Sequence, residues 1–232
     1  MEPIVYPIRI NKYLAMHNLA TRRSADALIK KRHVFINGRL AVLGDMVNEG
    51  DKVKIPGNIV NKKYSYFAYY KPRGVITHSP QSNEESIRDL LQNKTIFPLG
   101  RLDKDSEGLI ILTDDGRITE KLLSPKYEHE KEYIVSVRTP MKPSFLRRMS
   151  EGVNIDGYRT KKCRVSQIND FTFRIILTEG KKHQIRRMCG ALEYAIDSLK
   201  RVRVMNIRLG HLKSNQLREI KGEELQEFLS LL

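Results

Sequence analysis

Apolar residues in the first part of the chain recur first at helical spacing and then in short β-like runs. Residues 10–19 have the spacing of a first helix, and residues 22–32 have that of a second, with Thr21 as its N-cap residue. Asn37-Gly38 between apolar runs is typical of a β-hairpin. The predicted strands of this part are residues 34–36, 40–43 and 51–55.

The rest of the chain alternates β-prone runs with shorter helical segments. The predicted strands are residues 64–70, 109–112, 132–138, 162–168 and 171–177, and the predicted helices are residues 117–123, 144–149 and 184–192. The polar segment PGNIVNKK, residues 56–63, is typical of a linker. We therefore expect an α+β protein with a small helical and β domain over residues 1–60 and a domain with a mixed, mostly antiparallel sheet over residues 61–232.

Charge narrows the choice of partner. The 232 residues carry a formal net charge of +15, of which +5 lies in residues 1–60 and +10 in the remainder. Such an excess of Lys and Arg favours a polyanion partner, because bound cations release phosphate counterions. A membrane is the rival polyanionic surface, but no basic amphipathic anchor is present, and the apolar run of residues 109–112 is too short to cross a bilayer.

The two cysteines, Cys163 and Cys189, form no CxxC pair and have no second ligand pair of the kind that a zinc site needs. We expect both to be reduced, buried side chains in a cytoplasmic protein without a bound metal.

The N-terminal part carries its cations off the apolar stripe of the helices. RINKYLAMHNLATRRSADALIKKRHVFINGR, followed by GDMVNEGDKVKI, resembles over roughly residues 8–55 the small RNA-binding domain named after a ribosomal small-subunit protein. That resemblance implies a module that reads the shape of the RNA backbone. The residues expected to contact RNA are Arg9, Lys12, Arg22, Arg23, Lys30, Lys31 and Arg39.

The segment GRLDKDSEGLIILTDDG, residues 100–116, admits three interpretations. Its acidic residues have some spacings of a calcium-binding EF-hand loop, but Asp114 stands where a bidentate Glu is needed. Asp114, Asp115 and Gly116 suit a turn that caps a following helix, which leaves Asp103 unexplained. Asp103 lies beside Arg101 at the edge of a buried strand, where a guanidinium can keep a carboxylate ionised as a nucleophile.

The same segment occurs with KPRGV (71–75), EKEYIV (130–135) and EGKKHQIRRM (179–188). Together these motifs resemble the RsuA/RluB/RluE/RluF family of bacterial pseudouridine synthases over nearly the whole chain. Within that family, HEKEY (129–133), TKKC (160–163) and HQIRRMC (183–189) are most similar to RluF-type members.

The resemblance implies a cofactor-free isomerase, an intramolecular transferase that detaches a uracil, turns it and rejoins it to the ribose through carbon. Asp103 matches the catalytic aspartate, Tyr133 the active-site tyrosine, and Arg186 the arginine that pairs with the aspartate. Attack on the ribose, attack on the base and deprotonation of the sugar are all open roles for the aspartate. The residues expected to bind the substrate are Arg101, Leu199, Lys71, Arg73, Lys182, His183 and Arg187.

We therefore predict an RNA pseudouridine synthase that acts as a monomer on ribosomal RNA. The resemblance suggests a hairpin of the large-subunit RNA, with a tRNA of related shape as a second candidate substrate. A non-catalytic RNA-binding factor of ribosome assembly is the alternative from another class, and the joint presence of Asp103, Tyr133 and Arg186 argues against it. A hydrolase is disfavoured because no second carboxylate lies in a matching motif.

Overall fold

A computed structural model describes residues 5–17, 19–56, 63–78 and 84–232. The described residues fall in two compact units, one within Met1–Tyr64 and Asp115–Ile118 and the other within Ser65–Asp114 and Thr119–Leu232. Most of the predicted linker at 56–63 lies outside the described residues, so a domain boundary at residue 60 stays a prediction.

The first unit consists of two helices and short strands. Its elements are β1 (Ile8–Arg9), α1 (Ile10–Met16), α2 (Arg22–Lys30), β2 (Phe35–Ile36), β3 (Arg39–Leu40), β4 (Met46–Val47) and β5 (Val53–Lys54). Both predicted helices are present, and α2 begins as expected at Thr21, whose hydroxyl accepts from the backbone of Ser24 in a capping box. Strands β3, β2 and β5 form one antiparallel sheet, in which Asn37-Gly38 makes the predicted hairpin turn. Ile10, Leu14, Ala25, Ile29 and Val34 are among the side chains of its buried core.

The second unit is built on a large sheet. Its strands are β6 (Tyr66–Lys71), β7 (Phe97–Leu99), β8 (Glu107–Thr113), β9 (Lys131–Val137), β10 (Asn154–Ile155), β11 (Tyr158–Arg159), β12 (Arg164–Asn169), β13 (Thr172–Leu177), β14 (Ile196–Val204), β15 (Ile207–Arg208) and β16 (Leu217–Glu219). Its helices are α3 (Ile87–Leu90), α4 (Thr119–Leu123), α5 (Pro143–Glu151), α6 (Gln184–Ala191) and α7 (Gly222–Ser230). All of the strands predicted for this part have counterparts, whereas β7, β10, β11, β14, β15 and β16 were not predicted.

Nine strands of the described residues form the main sheet, in the order β12-β13-β9-β14-β8-β6-β16, with β15 beside β14 and β7 beside β8. Its pairings are antiparallel except for β14 and β8, which run parallel through Lys200–Glu107 and Arg201–Gly108. The predicted mixed, mostly antiparallel sheet is therefore confirmed. Because the strand Glu107–Thr113 follows the Asp103 segment directly, residues 103–114 do not form the loop of an EF-hand.

Helices α5 and α6 cover one part of this sheet. Phe145, Met149, Ile185 and Met188 pack with side chains of β9, β13 and β14 in the largest core cluster. Cys189 is buried there as expected, but Cys163 is only partly buried, because it directly precedes β12, the strand at the edge of the sheet. Every helix in the described part of the chain is too short or too polar to cross a lipid bilayer.

Candidate active site

A cleft of about 900 Å³ opens in the second unit at the junction of β8, β9 and β14. Lys131 and Tyr133 reach it from alternate positions of β9, and Leu199 and Arg201 reach it from alternate positions of β14. We call these four side chains the cleft floor. Residues 97–104 and 178–185 line the remaining sides, so that the motifs around Asp103 and His183 meet at one site.

Asp103 lies in the short loop between β7 and β8. The loop closes on itself where the amide of Ser106 donates to the carbonyl of Asp103 at 3.0 Å. The Asp103 side chain is 37% exposed, which leaves it half-open to the cleft. The carboxylate is therefore accessible to a ligand while its backbone is held in place.

Neighbouring groups fix the backbone on both sides of Asp103. The buried hydroxyl of Thr77 donates to the carbonyl of Leu102 at 2.7 Å and accepts from the amide of Leu102 at 3.1 Å. On the other side, the amide of Gly74 donates to the carbonyl of Lys104 at 2.8 Å. The KPRGV segment thus contributes to the site through the backbone of the Asp103 loop.

Lys71, which was expected to bind substrate, is fully buried and does not line the cleft. Its ammonium donates to the carbonyls of Pro72 at 2.7 Å, Val75 at 2.6 Å and Lys104 at 3.5 Å. Burial lowers its pKa to about 8, while the charges of Asp103 and two neighbouring acids oppose that change. Lys71 therefore joins the loop after β6 to the Asp103 loop from inside the protein.

The imidazole of His183 lies beside Asp103 in the structure. Its Nε2 lies 3.5 Å from Oδ1 of Asp103, and its backbone adopts a left-handed conformation with φ of 52° just before α6. Gln184 holds this turn, since its side chain accepts from the amide of Lys181 and donates to Glu179. The HQIRRM motif therefore aims an imidazole at the carboxylate.

The expected pairing of Arg186 with Asp103 is not present. The guanidinium of Arg186 instead donates to the carbonyl of Asp105 at 3.0 Å and to Oγ of Ser106 at 3.3 Å. Among the described residues, no Arg186 nitrogen lies within 4.0 Å of a carboxylate oxygen. The physical reason is that α6 brings Arg186 against the far end of the Asp103 loop, where backbone acceptors are nearer.

Tyr133 and Leu199 both line the cleft, as their motifs predicted. Leu199 is buried and Tyr133 is half-buried. In the sheet Arg201 pairs with Tyr133 and Leu199 pairs with the next residue of β9 on that face, Val135. An aromatic ring beside a leucine offers an apolar surface on which a flat base can pack.

The remaining residues predicted to bind substrate divide into two groups. Arg101, Lys182 and His183 line the cleft. Arg73 and Arg187 do not, because their guanidinium groups are engaged elsewhere, Arg73 with the carbonyl of Asp197 and Arg187 with Asp156 and the carbonyl of Ile155. The guanidinium groups of these two arginines therefore bind the backbone of β14 and of β10 outside the cleft lining.

The sequence analysis missed Lys131 and Arg201, the two cations of the cleft floor. Arg201 is 4% exposed and donates to the carbonyl of Leu109 at 2.7 Å. Lys131 stands two residues before Tyr133, and this i, i+2 spacing on a strand was the signal that could have placed it in the cleft.

In the first unit, Arg9, Lys12, Arg22, Lys30, Lys31 and Arg39 are all exposed. The side chain of Arg23 lies outside the described part. Asp26 accepts a hydrogen bond from Asn11 at 2.9 Å, whereas Arg39 pairs with Asp45 at 3.1 Å. Most of the expected RNA-contacting cations are thus open to a ligand, and among those whose side chains the structure describes, Arg39 has an acidic partner.

A basic chain with an exposed cationic module and a carboxylate in a cleft beside a tyrosine indicates an RNA-modifying enzyme. Residues 65–191 match the family model described as RNA pseudouridylate synthase, and residues 8–53 match the S4 domain. The chain belongs to the RNA pseudouridylate synthase family and is an isomerase with an N-terminal S4 domain.

Similar proteins agree with this assignment. The chain is 39% identical to the dual-specificity RNA pseudouridine synthase RluF of Escherichia coli K12, over 97% of this chain and 79% of that protein. It is 31% identical to the ribosomal large subunit pseudouridine synthase B of Bacillus subtilis, over 96% of each. A crystal structure of a pseudouridylate synthase superposes with a TM-score of 0.71 at 25% identity, covering 97% of this chain and 100% of the other. These relationships support the enzyme and not the non-catalytic assembly factor.

Proposed function

We propose that this enzyme isomerises a uridine in a hairpin of ribosomal RNA, with Asp103 as the catalytic nucleophile. The observation that carries the proposal is the position of the Asp103 carboxylate, half-exposed in the cleft whose floor holds Tyr133 and Leu199. A base turned out of its helix would pack on that floor with its ribose within reach of the carboxylate.

The reaction balances without an oxidant or a reductant. The bond between N1 of uracil and C1′ of ribose breaks, the base turns, a bond forms between C5 and C1′, and the C5 hydrogen leaves as a proton while N1 takes one up. A carboxylate held by a fixed backbone suits the electron-poor C1′ or the base itself as its partner. The imidazole of His183 lies 3.5 Å from the carboxylate, so it faces the group that reacts.

Tyr133 and Arg186 act beside Asp103 in this proposal. Tyr133 stacks on the target base and assists removal of the C5 proton. Arg186 holds the far end of the Asp103 loop through Asp105 and Ser106, so it positions the nucleophile through the backbone. Arg101 and Lys182, which line the cleft, contact neighbouring phosphates of the RNA.

The S4 domain and the names of the relatives support this substrate class. Exposed Arg22, Lys30 and Lys31 give the N-terminal unit a phosphate-binding surface that is independent of base sequence. The name of the B. subtilis relative refers to the ribosomal large subunit, and that of the E. coli relative to dual specificity. We therefore place the target in large-subunit ribosomal RNA, with a tRNA as a second substrate, and the enzyme in the cytoplasm as a cofactor-free monomer.

Tritium release from ribosomal RNA labelled at C5 of uracil tests the proposal. RNA from cells that lack this gene is incubated with the wild type or with Asp103→Asn, which keeps the size of the side chain and removes its charge. We expect release by the wild type and a loss of more than about 10³-fold in the variant, as for other catalytic nucleophiles. RNA binding should remain nearly intact.

Asp105→Asn is the matched control, because the Asp105 side chain is exposed in the same loop and only its backbone contacts Arg186. It should release tritium at close to the wild-type rate. Release by Asp103→Asn at the wild-type rate would remove Asp103 from its role. If the wild type releases tritium from labelled tRNA but not from ribosomal RNA, the substrate is tRNA and the proposed ribosomal target is wrong.

A further inference from the structure

The charges on the two faces of β9 and β14 are arranged differently. On the face away from the cleft, Glu132 pairs with Arg174 at 3.2 Å and with Arg203 at 2.8 Å, and Glu130 pairs with Arg203 at 3.0 Å. Each cation there has an acidic partner. The cleft floor, in contrast, presents Lys131 and Arg201 from the same two strands.

The side chains of Lys131 and Arg201 donate hydrogen bonds to neutral backbone acceptors. The Lys131 ammonium donates to the carbonyl of His129 at 3.1 Å, and Arg201 donates to the carbonyls of Leu109 at 2.7 Å and Arg101 at 3.5 Å. Within the described part of the chain, no carboxylate oxygen lies within 4.0 Å of either cation. Two cations thus line the cleft floor without a counter-ion.

Two neighbouring positive charges without an acidic partner raise the electrostatic free energy of the protein when no ligand is bound. Burial, and next the charge of Arg201, lower the pKa of Lys131 to about 8. Arg201 is 4% exposed, so little water reaches its charge. An anion that enters the cleft would relieve this repulsion, and it would be bound more strongly there than at an exposed lysine.

The two cations differ in what they can offer an anion. Arg201 is tied to backbone carbonyls on β8 and on the segment that precedes Asp103. The Lys131 ammonium has three donors, of which the structure engages one. Lys131 is therefore the residue with donors left for a ligand, and Arg201 raises the local positive potential beside it.

We propose that Lys131, supported by Arg201, is the binding site for one phosphodiester group of the RNA, the group on the 5′ or the 3′ side of the target uridine. Uracil and ribose are neutral, so the phosphate is the part of the substrate whose charge matches this floor. The inference rests on the proposed function, because it takes RNA as the ligand of the cleft. It adds a specific anchor next to Tyr133, which is two residues further along β9.

The test couples one side chain to one phosphate. An RNA hairpin with a mapped target uridine is prepared with ordinary phosphates, and with a neutral methylphosphonate on the 5′ or the 3′ side of that uridine. Tritium release is measured with the wild type, Lys131→Met and Lys131→Arg. We expect Lys131→Met to lower kcat/KM about ten- to hundredfold on ordinary RNA, the usual effect of losing a charged hydrogen bond.

On one of the two methylphosphonate hairpins, the wild type should show the same loss, and Lys131→Met should lose no more. Lys131→Arg should keep most of the activity, since it retains the positive charge that binds a phosphate. An arginine does not transfer a proton as an amine can, so this variant separates the two roles. Lys142→Met, at an exposed lysine before α5, should match the wild type on all three hairpins.

Independent losses for Lys131→Met and for each methylphosphonate would overturn the inference, as would Lys131→Arg being as inactive as Lys131→Met. If Lys131→Met does not fold, the wild type alone still tests the inference, because full wild-type activity on both methylphosphonate hairpins would also overturn the inference. Absence of wild-type turnover on the ordinary hairpin would instead count against the proposed function.

Discussion

Gly108 and Arg201 are partners in the one parallel pairing of the main sheet within the described residues, and a Cβ atom at Gly108 would lie 2.3 Å from the carbonyl oxygen of Arg201. Gly108 also has φ of 107°, which side-chain-bearing residues rarely adopt. Gly108, the last residue of the GRLDKDSEG segment, therefore allows β8 to approach β14, and this approach joins the Asp103 loop to the cleft floor.

Gly108→Ala should destabilise the protein by about 2–4 kcal/mol, since it combines a backbone clash with an unfavourable φ. Thermal unfolding followed by circular dichroism measures the effect. Gly190→Ala is the control, because Gly190 lies in α6 with no atom within 4 Å of an added Cβ, and the change should be neutral or slightly stabilising. Equal melting temperatures for the wild type and Gly108→Ala would contradict the close approach of the two strands.

Thr77 suggests a second experiment, on catalysis and not on stability. Its hydroxyl both donates to and accepts from the backbone of Leu102, the residue before Asp103. Thr77→Val keeps the shape and removes both hydrogen bonds, so we expect kcat to fall about tenfold with KM nearly unchanged. Thr77→Ser keeps the hydroxyl and should restore kcat. A rise of KM alone, or a serine variant as slow as the valine variant, would assign Thr77 a different role.

Much of this site could be predicted from residues whose chemistry is local. Asp103 follows from its motif, and β8 follows from the apolar run at 109–112 that the structure buries. Lys71 was misplaced because lysines are usually solvated, and only the folded structure shows the carbonyls that surround its ammonium. Strand β14 was missed because Lys200, Arg201 and Arg203 give it a polar sequence.

The partners of these cations come from distant parts of the chain. Arg203 pairs with Glu132, and Arg201 binds the carbonyl of Leu109, contacts that no local pattern encodes. Arg186 shows the same limit, because its helix was predicted but the acceptors that it meets were not. The sequence therefore predicts which motifs form the site better than it predicts how their side chains pair.

The buried ammonium of Lys71 should make stability depend on pH. Its pKa is about 8 in the folded protein, compared with 10.5 for an ordinary lysine. Between these values the folded chain has released the proton and the unfolded chain retains it, so the free energy of unfolding should rise with pH. Denaturant unfolding at about pH 8 and about pH 9.5, compared between the wild type and a Lys71 variant, tests the contribution of this lysine. The comparison is needed because burial raises the pKa of Cys163 to about 11 and that of Cys189 to about 12, and these thiols act in the opposite direction over this range.

Lys71→Met should lower this slope relative to the wild type. The slope that remains is set by Lys131, whose pKa is also about 8, and by the opposing thiols of Cys163 and Cys189. Lys142→Met, which removes an exposed lysine, should leave the slope unchanged. A slope that is the same in Lys71→Met and in the wild type would show that Lys71 keeps its proton in the folded protein.

The exposed cations of α2 should contribute to RNA affinity through charge. Arg22 is exposed at the start of the helix, and Arg23 follows it in the sequence. Changing both to Ala should weaken binding of ribosomal RNA and lower the slope of log Kd against log salt by about one per lost phosphate contact.

The matched control changes Arg147 and Arg148, two exposed arginines of α5, to Ala, because this double variant loses the same amount of positive charge. If the α2 variant binds more weakly with an unchanged salt slope, the loss comes from altered structure. If the α5 control lowers the slope equally, the effect reflects net charge and the S4 unit has no special part in binding.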